Sequence, residues 1–313
     1  MVNFDNYSGI VVWDHSIRIF NYALFNRFSE KGCKVIYAVE QKEFRNLDIP
    51  VVDNNVEIVI ITDLKDIVSL TNRTRQYLHI NNAYTQWPYL IHKALIYLLK
   101  NNFLVISLFQ EQYPYWTGVK GILRRLKWCY IFNFSYGKAV KAVGCTGNSS
   151  LLAYRKAFVK DEKFFDFIYI TECLRKMDIS LQENDAIRFV FVGGIVKRKS
   201  AIELVDIFKQ ITNKNIFLSI IGDGDLTNVL VKKISNVNNI FYLGSLSNEQ
   251  VRQELLKSDV LILPSKFDGW GCVVNEALQC GLRVIVSDAC GAHSLIQENH
   301  DLGEVFESEN WAD

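Results

Sequence analysis

The chain has 313 residues, of which 49% are hydrophobic and 22% are charged, a balance that fills hydrophobic cores and argues against long disordered segments. A chain of this length usually exceeds a single core, so we expect two domains. Because 35 Lys and Arg residues face 34 Asp and Glu residues, no overall positive field exists to recruit nucleic acid.

Cysteine usage and apolar runs indicate the compartment. The seven cysteines are scattered and form no C-x-x-C pair, which disfavours a zinc site or a disulfide framework and favours a reducing cytoplasm. The first residues lack the basic and apolar regions of a secretory signal, and no apolar run reaches the roughly 18 residues of a spanning helix. We therefore expect a cytoplasmic protein that is soluble or lies on a membrane surface.

Short apolar runs in the first half predict buried strands, with helical patterns between them. The strands fall at Gly9–Trp13, Lys34–Val39, Val56–Thr62 and Phe103–Phe109, and the helices at Ile17–Ser29 and Pro88–Leu99. Parallel strands need long crossover connections, which helices usually fill, so this alternation indicates a parallel α/β sheet.

A basic segment at Gly118–Tyr130 predicts a short amphipathic helix that lies on an anionic membrane at the inner face. An ordinary solvated helix is the competing interpretation. The segment places four cations beside four apolar residues, namely Lys120, Arg124, Arg125 and Lys127 beside Ile122, Leu123, Leu126 and Trp128.

The second half repeats the alternation more regularly and predicts a doubly wound α/β domain. Its strands fall at Arg188–Val192, Ile216–Ile221, Ile240–Leu243, Val260–Leu263 and Arg283–Ser287, and its helices at Ala201–Gln210, Asn228–Ile234, Asn248–Lys257 and Val274–Gln279. The polar segment Thr171–Asp185 predicts a linker between Rossmann-like domains at residues 1–175 and 186–313. Another helical unit would be expected after residues 303–306, which suggests a truncated C-terminal end.

The segment Pro264–Gly281, PSKFDGWGCVVNEALQCG, carries the clearest chemical pattern. Asp268 precedes the turn Gly269–Trp270–Gly271, and Glu276 follows on a short helix. Free backbone N–H groups at such a helix start attract a phosphate or a sugar hydroxyl, and the glutamate can accept hydrogen bonds from both ribose hydroxyls. The pattern suits a nucleotide-sugar.

Three further glycine turns suit the same ligand. After the strand at residues 188–192 come Gly193, Gly194 and the basic cluster Lys197–Lys199, which can neutralise a diphosphate, although a solvated basic turn is an alternative. Residues 220–230 (IIGDGDLTNVL) and 241–251 (FYLGSLSNEQV) carry the other glycines. The sequence D-G-D within them also fits a D-x-D metal signature, but its position between a strand and a helix argues against that use.

Together these motifs resemble the retaining family 4 glycosyltransferases of GT-B fold, over about residues 188–303. The family pattern E-G-F-G-x-x-x-x-E-A-x-x-x-G stands here as D-G-W-G-C-V-V-N-E-A-L-Q-C-G. The resemblance implies that Asp268 contacts the donor sugar, that the amides of Gly269, Trp270 and Gly271 bind the sugar and diphosphate, and that Glu276 binds the ribose.

The same resemblance implies roles for the other turns. Lys199 matches the diphosphate-binding lysine of the family pattern F-V-G-R-L-x-x-x-K-G. Two positions depart from it: Gly194 stands where the family has arginine, for which Arg198 is the nearby substitute, and Ser200 replaces a glycine. The donor pocket would further include Gly193, Gly194, Gly222, Asp223 and Gly244.

The implied fold is GT-B, in which two Rossmann-like domains face a cleft and the N-terminal domain binds the acceptor. Its fifth strand would resemble Phe103–Phe109, so Gln110 or Glu111 is expected near the transferred sugar, with a surface loop as the alternative. For His15 and Arg18 an acceptor contact is the alternative, and an ordinary role in the first turn of a helix is favoured. The catalytic set is then Asp268, Lys199 and Glu111.

We therefore expect a metal-independent hexosyltransferase without cofactor, acting with retention, the stereochemistry being implied by the family alone. Its donor would be a UDP-sugar or GDP-sugar and its acceptor a glycan or lipid-linked sugar, in surface polysaccharide or lipopolysaccharide synthesis. The alternative is a catalytically silent GT-B-like protein that binds a nucleotide, a glycan or a partner. A dinucleotide oxidoreductase is disfavoured because no G-x-G-x-x-G follows the first strand of either half.

Overall fold

The chain forms two compact units, Met1–Thr171 and Glu172–Asp313. The computed structural model describes residues 7–16, 26–41, 56–82, 90–109, 118–158, 160–167, 186–297 and 299–308. The predicted helix Ile17–Ser29 lies mostly outside these ranges, and residues 26–30 are helical. Each unit is a parallel α/β sheet with crossover helices, so the predicted fold class is confirmed.

The N-terminal unit has a seven-stranded sheet in the order β3-β2-β1-β4-β5-β6-β7, and every neighbouring pair is parallel. The strands are β1 Gly9–Ser16, β2 Lys34–Gln41, β3 Val56–Ile60, β4 Leu78–Asn81, β5 Val105–Phe109, β6 Ala142–Cys145 and β7 Phe164–Asp166. The helices are α1 Leu64–Arg73, α2 Leu90–Lys100, α3 Gly118–Phe134 and α4 Gly147–Arg155.

Alternation along the strands divides this core between the two faces of the sheet. Val11 and Trp13 of β1 pack in a cluster with Leu95 of α2, whereas Ile10 and Val12 join the cluster on the other face. Both faces are buried, as expected when helices cover a parallel sheet.

The position of Trp128 differs from its predicted place beside the exposed apolar residues of α3. Its ring lies 5.5 Å from that of Phe132 and 5.4 Å from that of Tyr154, and its side chain is buried in the core. Trp128 therefore anchors α3 to the sheet and is not available to a membrane.

The C-terminal unit has a six-stranded parallel sheet in the order β10-β9-β8-β11-β12-β13. Its strands are β8 Ile187–Val192, β9 Ile216–Ile221, β10 Ile240–Gly244, β11 Val260–Leu263, β12 Arg283–Ser287 and β13 Gly303–Phe306. Its helices are α5 Ala201–Gln210, α6 Thr227–Ile234, α7 Asn248–Leu256, α8 Cys272–Gln279 and α9 His293–Gln297. Within the described parts of both units, no helix combines the length and apolarity required to cross a bilayer.

The strand order positions the site. In a doubly wound sheet the chain reverses direction across the sheet between the first and fourth strands, and the loops that follow them leave a crevice at their carboxyl ends. In the C-terminal unit these strands are β8 and β11, which are neighbours in the sheet. The loops after β8 and β11 are those that contain Lys199 and Asp268.

Candidate functional site

The two predicted charged residues of the C-terminal unit are in direct contact. The Nζ atom of Lys199 donates to Oδ2 of Asp268 and forms an ion pair with it. The two side chains are only 11% and 12% exposed, so water screens the pair weakly. A lysine and a carboxylate therefore lie together at the switch point of the sheet.

Backbone contacts hold the basic and acidic turns side by side. The amide of Lys266 donates to the carbonyl of Arg198 at 2.8 Å, and Nη1 of Arg198 donates to the carbonyl of Phe267 at 3.1 Å. Lys199 ends a single 3₁₀ turn, Lys197–Lys199. Because these bonds fix both turns, the Lys199 ammonium group is positioned before any ligand arrives.

The glycine turn before α8 packs against a loop that the sequence did not reveal as part of the site. The amide of Asp268 donates to the carbonyl of Ala289 at 3.0 Å, and the amide of Ala292 donates to the carbonyl of Trp270 at 2.8 Å. Gly271, the N-cap of α8, has φ +82°, and a Cβ there would lie 2.6 Å from Sγ of Cys290. The loop at residues 288–292 thus supports the turn, and Gly291 was its only visible signal.

Trp270 has a structural side chain. Its indole is buried, and its Nε1 donates to Oδ1 of Asn275 at 2.7 Å. This bond ties the turn to the first turns of α8. The role predicted for Trp270 concerns its backbone amide, and the ring itself faces the domain interior.

Glu276 lies in the second turn of α8. Burial raises the pKa of its carboxyl group to about 7, because a charged carboxylate is disfavoured away from water. Within the part of the chain that the structure describes, no hydrogen bond or ion pair reaches this side chain. A partly buried acceptor of this kind is suited to two donor hydroxyls of a ligand.

The remaining predicted donor residues form a close-packed group at the ends of β8, β9 and β10. The amide of Gly222 donates to the carbonyl of Gly244 at 2.8 Å, and a Cβ on Gly222, where φ is +131°, would lie 2.0 Å from the carbonyl oxygen of Gly193. A Cβ on Gly193 would in turn lie 3.8 Å from Cε of Lys199. The glycines therefore bring three loops against the lysine side chain.

Gly194 and Asp223 sit at the margin of this group. A Cβ on Gly194 would meet nothing nearer than 3.6 Å, so the position has room for a side chain. Oδ1 of Asp223 accepts from Oγ1 of Thr227 at 2.5 Å and from the amide of Gly224 at 2.7 Å, and these bonds lower the pKa of Asp223. Its carboxylate stabilises the start of α6.

In the N-terminal unit, Gln110, Glu111 and Arg18 lie outside the described residues. His15 lies at the carboxyl end of β1, where its Nδ1 is 3.2 Å from Oε2 of Glu40. Oε1 of Glu40 accepts from the amide of Ile91 at 2.6 Å, so Glu40 joins β2 to α2. The His15–Glu40 pair therefore has a structural role in this domain.

A cavity of about 900 Å³ in the N-terminal unit lies apart from the predicted donor residues, none of which lines it. Its wall includes Lys138, Lys141 and Lys163. The Nζ atom of Lys163 already donates to the carbonyls of Gly137, Lys138 and Val140. Its ammonium group therefore stabilises the fold. The Lys199 and Asp268 contact, rather than cavity size, marks the candidate site.

The class of protein follows from these observations. Two Rossmann-like units, of which the second has a lysine and a carboxylate at its switch point and glycine turns at the ends of β8, β9 and β10, define a GT-B fold. Residues 175–313 match the family described as glycosyl transferases group 1.

Known proteins show the same relationship. The chain is 26% identical over 188 residues to the sulfoquinovosyl transferase of Arabidopsis thaliana, covering 60% of this chain and 36% of that protein. It is 28% identical over 135 residues to the Escherichia coli UDP-Gal:alpha-D-GlcNAc-diphosphoundecaprenol alpha-1,3-galactosyltransferase, covering 41% and 34%. The chain thus spans about a third of the length of these relatives.

The fold is also that of solved glycosyltransferase-like structures. The structure of Anabaena HepE in complex with UDP and glucose superposes with a TM-score of 0.65 at 16% identity, covering 98% of this chain and 88% of that one. At this identity the likeness establishes the fold alone.

Proposed function

We propose that the protein transfers a hexose from a UDP-sugar or GDP-sugar to a glycan or lipid-linked acceptor. The observation that carries this proposal is the contact of Lys199 with Asp268 at the switch point of the C-terminal sheet. The Arabidopsis and Escherichia coli relatives are named as sugar transferases, and HepE binds UDP and glucose, which supports a nucleotide-sugar donor. The proposed place in surface polysaccharide or lipopolysaccharide synthesis rests on the family resemblance.

In the proposed reaction the bond between the anomeric carbon and the diphosphate oxygen breaks, the acceptor hydroxyl oxygen bonds to that carbon, and the hydroxyl proton passes to the leaving diphosphate. Lys199 and Arg198 neutralise the departing diphosphate together with backbone amides of the glycine turns. Asp268 then separates from Lys199 and contacts the sugar, while Glu276 accepts hydrogen bonds from the ribose hydroxyls. The ion pair of the free protein is therefore exchanged for ligand contacts.

We further propose retention at the anomeric carbon and activity without a metal ion or cofactor. Retention rests on the family resemblance, and an inverted product by NMR would contradict it. Metal independence rests on Lys199 and Arg198, which would neutralise the diphosphate in place of a metal ion, and full turnover in excess chelator is the expected result.

The proposed compartment is the cytoplasm. The described cysteines Cys33, Cys129 and Cys280 are free thiols, which supports a reducing environment.

The test is a thermal-shift screen of UDP, GDP and their sugars, followed by donor hydrolysis and transfer assays. A ligand that binds only the folded state raises the melting temperature. We expect one nucleotide series to do so in the wild type and not in Lys199→Gln. Binding without either hydrolysis or transfer would instead establish a catalytically silent relative, for which the glycine at position 194 is the specific sequence signal.

A further inference from the structure

Helix α3 is apolar on two opposite sides. One side, with Trp128, Ile131 and Phe132, is buried in the core of the N-terminal unit. The opposite side carries six large apolar side chains that are 50–75% exposed. We name this side the outer face, and it consists of Val119, Ile122, Leu123, Leu126, Tyr130 and Phe134.

The spacing of the outer face shows that it is one continuous stripe. Its members are separated by three or four positions, apart from the adjacent pair Ile122 and Leu123, so they line one side of a helix. The apolar surface also continues beyond the helix. Nδ2 of Asn133 donates to the carbonyl of Phe158 at 3.3 Å, so Phe158, which is 82% exposed, lies beside the end of α3.

Cations border the stripe and no acid does. Helix α3 contains Lys120, Arg124, Arg125 and Lys127 and has no Asp or Glu. The same bias extends along the chain, because residues 118–160 contain nine Lys and Arg and no acidic residue. In a chain whose formal net charge is only +1, this local excess is a directed positive field.

We propose that the outer face of α3 docks this protein on an anionic phospholipid bilayer. The apolar stripe inserts at the boundary between headgroups and acyl chains, while Lys120 and Lys127, which lie on one flank of the stripe, bind lipid phosphates. A second copy of this chain fits the face poorly, because the same cations would then oppose one another. This surface is independent of the donor site and requires no turnover.

The experiment is cosedimentation of the full chain with vesicles of phosphatidylglycerol and phosphatidylcholine in equal parts, compared with pure phosphatidylcholine. We expect binding to the anionic vesicles alone, weakening as salt is raised. The exposed pair Lys120→Gln with Lys127→Gln should reduce the partition coefficient by about 25-fold, since each basic residue near an anionic surface contributes about fivefold. The pair Leu123→Ser with Leu126→Ser should reduce it by about tenfold or more.

Matched controls come from exposed positions of the C-terminal unit. Lys209→Gln with Lys214→Gln removes the same charge, and Val229→Ser with Val231→Ser removes exposed apolar groups from α6. Both should bind vesicles like the wild type, and circular dichroism should show every variant folded. Equal binding to the two vesicle types, or unchanged binding by both α3 variants, overturns the proposal. So does a dimer in sedimentation that the leucine pair dissolves, because a second copy would then occupy the outer face.

Discussion

At the scale of single residues, the ion pair between Lys199 and Asp268 is both a site and a constraint. Desolvating two charges is costly, and removing one partner leaves the other charge buried and uncompensated. A diphosphate at Lys199 would compensate the lysine in place of Asp268. The pair therefore keeps the lysine neutralised in the free protein and makes the anion compete with an internal carboxylate.

This competition predicts opposite effects for the two partners. Lys199→Gln should weaken UDP binding by about 10- to 100-fold, the loss expected for one charge-assisted contact. Asp268→Asn should leave UDP binding unchanged or several-fold tighter, because Lys199 loses its internal competitor, while sugar transfer falls. Calorimetric titration with UDP measures the affinity of both variants, and the transfer assay measures the loss of sugar transfer in Asp268→Asn.

The control for this prediction is Lys266, which lies in the same loop as Asp268 and forms an exposed ion pair with Glu203 at 3.0 Å. Lys266→Gln should change UDP affinity little, since an exposed pair contributes at most about 1 kcal/mol. Equal losses in Lys199→Gln and Asp268→Asn would contradict the competition and would indicate a merely structural pair.

Glu276 predicts a dependence of stability on pH. Its pKa is about 7 in the folded protein against the ordinary value of 4.5, so the folded state holds a proton more tightly than the unfolded state. The resulting stability is complete below about pH 4.5 and is lost as the pH rises through 7. Glu276→Gln, which cannot ionise, should therefore become more stable than the wild type by about 1–3 kcal/mol at pH 8. Urea unfolding at pH 5 and pH 8 measures this difference.

The same titration should appear in ligand binding. Two ribose hydroxyls need an ionised carboxylate as acceptor, so the affinity for UDP-glucose should rise about tenfold from pH 6 to pH 8 in the wild type. Glu276→Gln should show a flat profile, and the exposed control Glu304→Gln should follow the wild type. A wild-type profile that is also flat would remove Glu276 from the ribose contact.

Ser200, which stands where the family pattern has glycine, carries two structural penalties. It adopts φ +55°, the left-handed region that glycine favours, and among the described residues its buried hydroxyl has no hydrogen-bond partner. Ser200→Gly removes both penalties, so we expect an increase of about 1 kcal/mol in the free energy of unfolding, measured by urea denaturation. No increase would indicate that the glycine's greater freedom in the unfolded chain offsets the relief.

At the scale of elements, the three loops after β8, β9 and β10 interlock through glycine. A Cβ on Gly222 would lie 2.0 Å from the carbonyl oxygen of Gly193, so the backbone must move to admit it. Gly222→Ala should cost more than about 2 kcal/mol of stability and should also weaken nucleotide binding. Thermal unfolding and calorimetric titration measure the two effects.

Two other glycines separate crowding from backbone strain. Gly194→Ala, with no neighbour nearer than 3.6 Å, should change stability by less than about 0.5 kcal/mol. Gly244→Ala has open space but φ +72°, so only the conformational cost of about 1–2 kcal/mol applies. If Gly222→Ala were no worse than Gly244→Ala, contact with the Gly193 loop would not be the cause.

Strands made of consecutive apolar residues were predictable from the sequence, and strands that contain buried polar residues were not. The predicted strands at residues 216–221, 260–263 and 283–287 are confirmed to the residue. Strand β4, LHIN, was missed because His79 and Asn81 are buried polar residues. His79 is tolerated in the core since Nε1 of Trp13 donates to it at 3.0 Å and burial lowers its pKa to about 4. Such compensation between distant residues leaves no local pattern.

Other elements were missed for lack of a long period. Strand β6, AVGC, contains a glycine and only one large apolar residue, and strand β7, FFD, has only three residues, so neither forms an apolar run. Helix α1 begins with a capping box, in which Asp63 and Asp66 accept hydrogen bonds from each other's backbone amides, but its buried apolar residues are only Ile67 and Leu70. In α3 the apolar residues lie on two sides, and periodicity alone could not tell which side, with Trp128, faces the core.

The site was predictable as residues but not as geometry. Glycine and charge patterns indicated Lys199, Asp268 and Glu276, yet Lys199 and Asp268 are 69 positions apart. Their contact depends on β8 and β11 being neighbours, which no local motif encodes. The contact of the loop at residues 288–292 with the glycine turn before α8 is likewise not encoded by a local motif.

At the scale of the whole molecule, the described chemistry is divided between the units. The predicted donor residues with known positions all lie in the C-terminal unit, whereas the basic segment at residues 118–160 and the outer face of α3 belong to the N-terminal unit. Each unit has its own parallel sheet with buried strands, so each can respond to a ligand separately.

This division predicts where a donor stabilises the chain, as measured by hydrogen exchange with saturating UDP-glucose or GDP-mannose. At a ligand concentration 100 times its Kd, the bound state gains about 2.7 kcal/mol, so exchange through unfolding of the C-terminal unit should slow about 100-fold in β8 and β9. Amides of the loops at residues 193–200 and 264–271 should become protected directly. Strands β1 and β4 serve as the internal reference and should exchange at unchanged rates, because they belong to the other unit, which has its own hydrophobic core. At the same ligand concentration Lys199→Gln should keep only about 2- to 10-fold protection, whereas protection confined to the N-terminal sheet would place the nucleotide in the wrong unit and contradict the donor assignment.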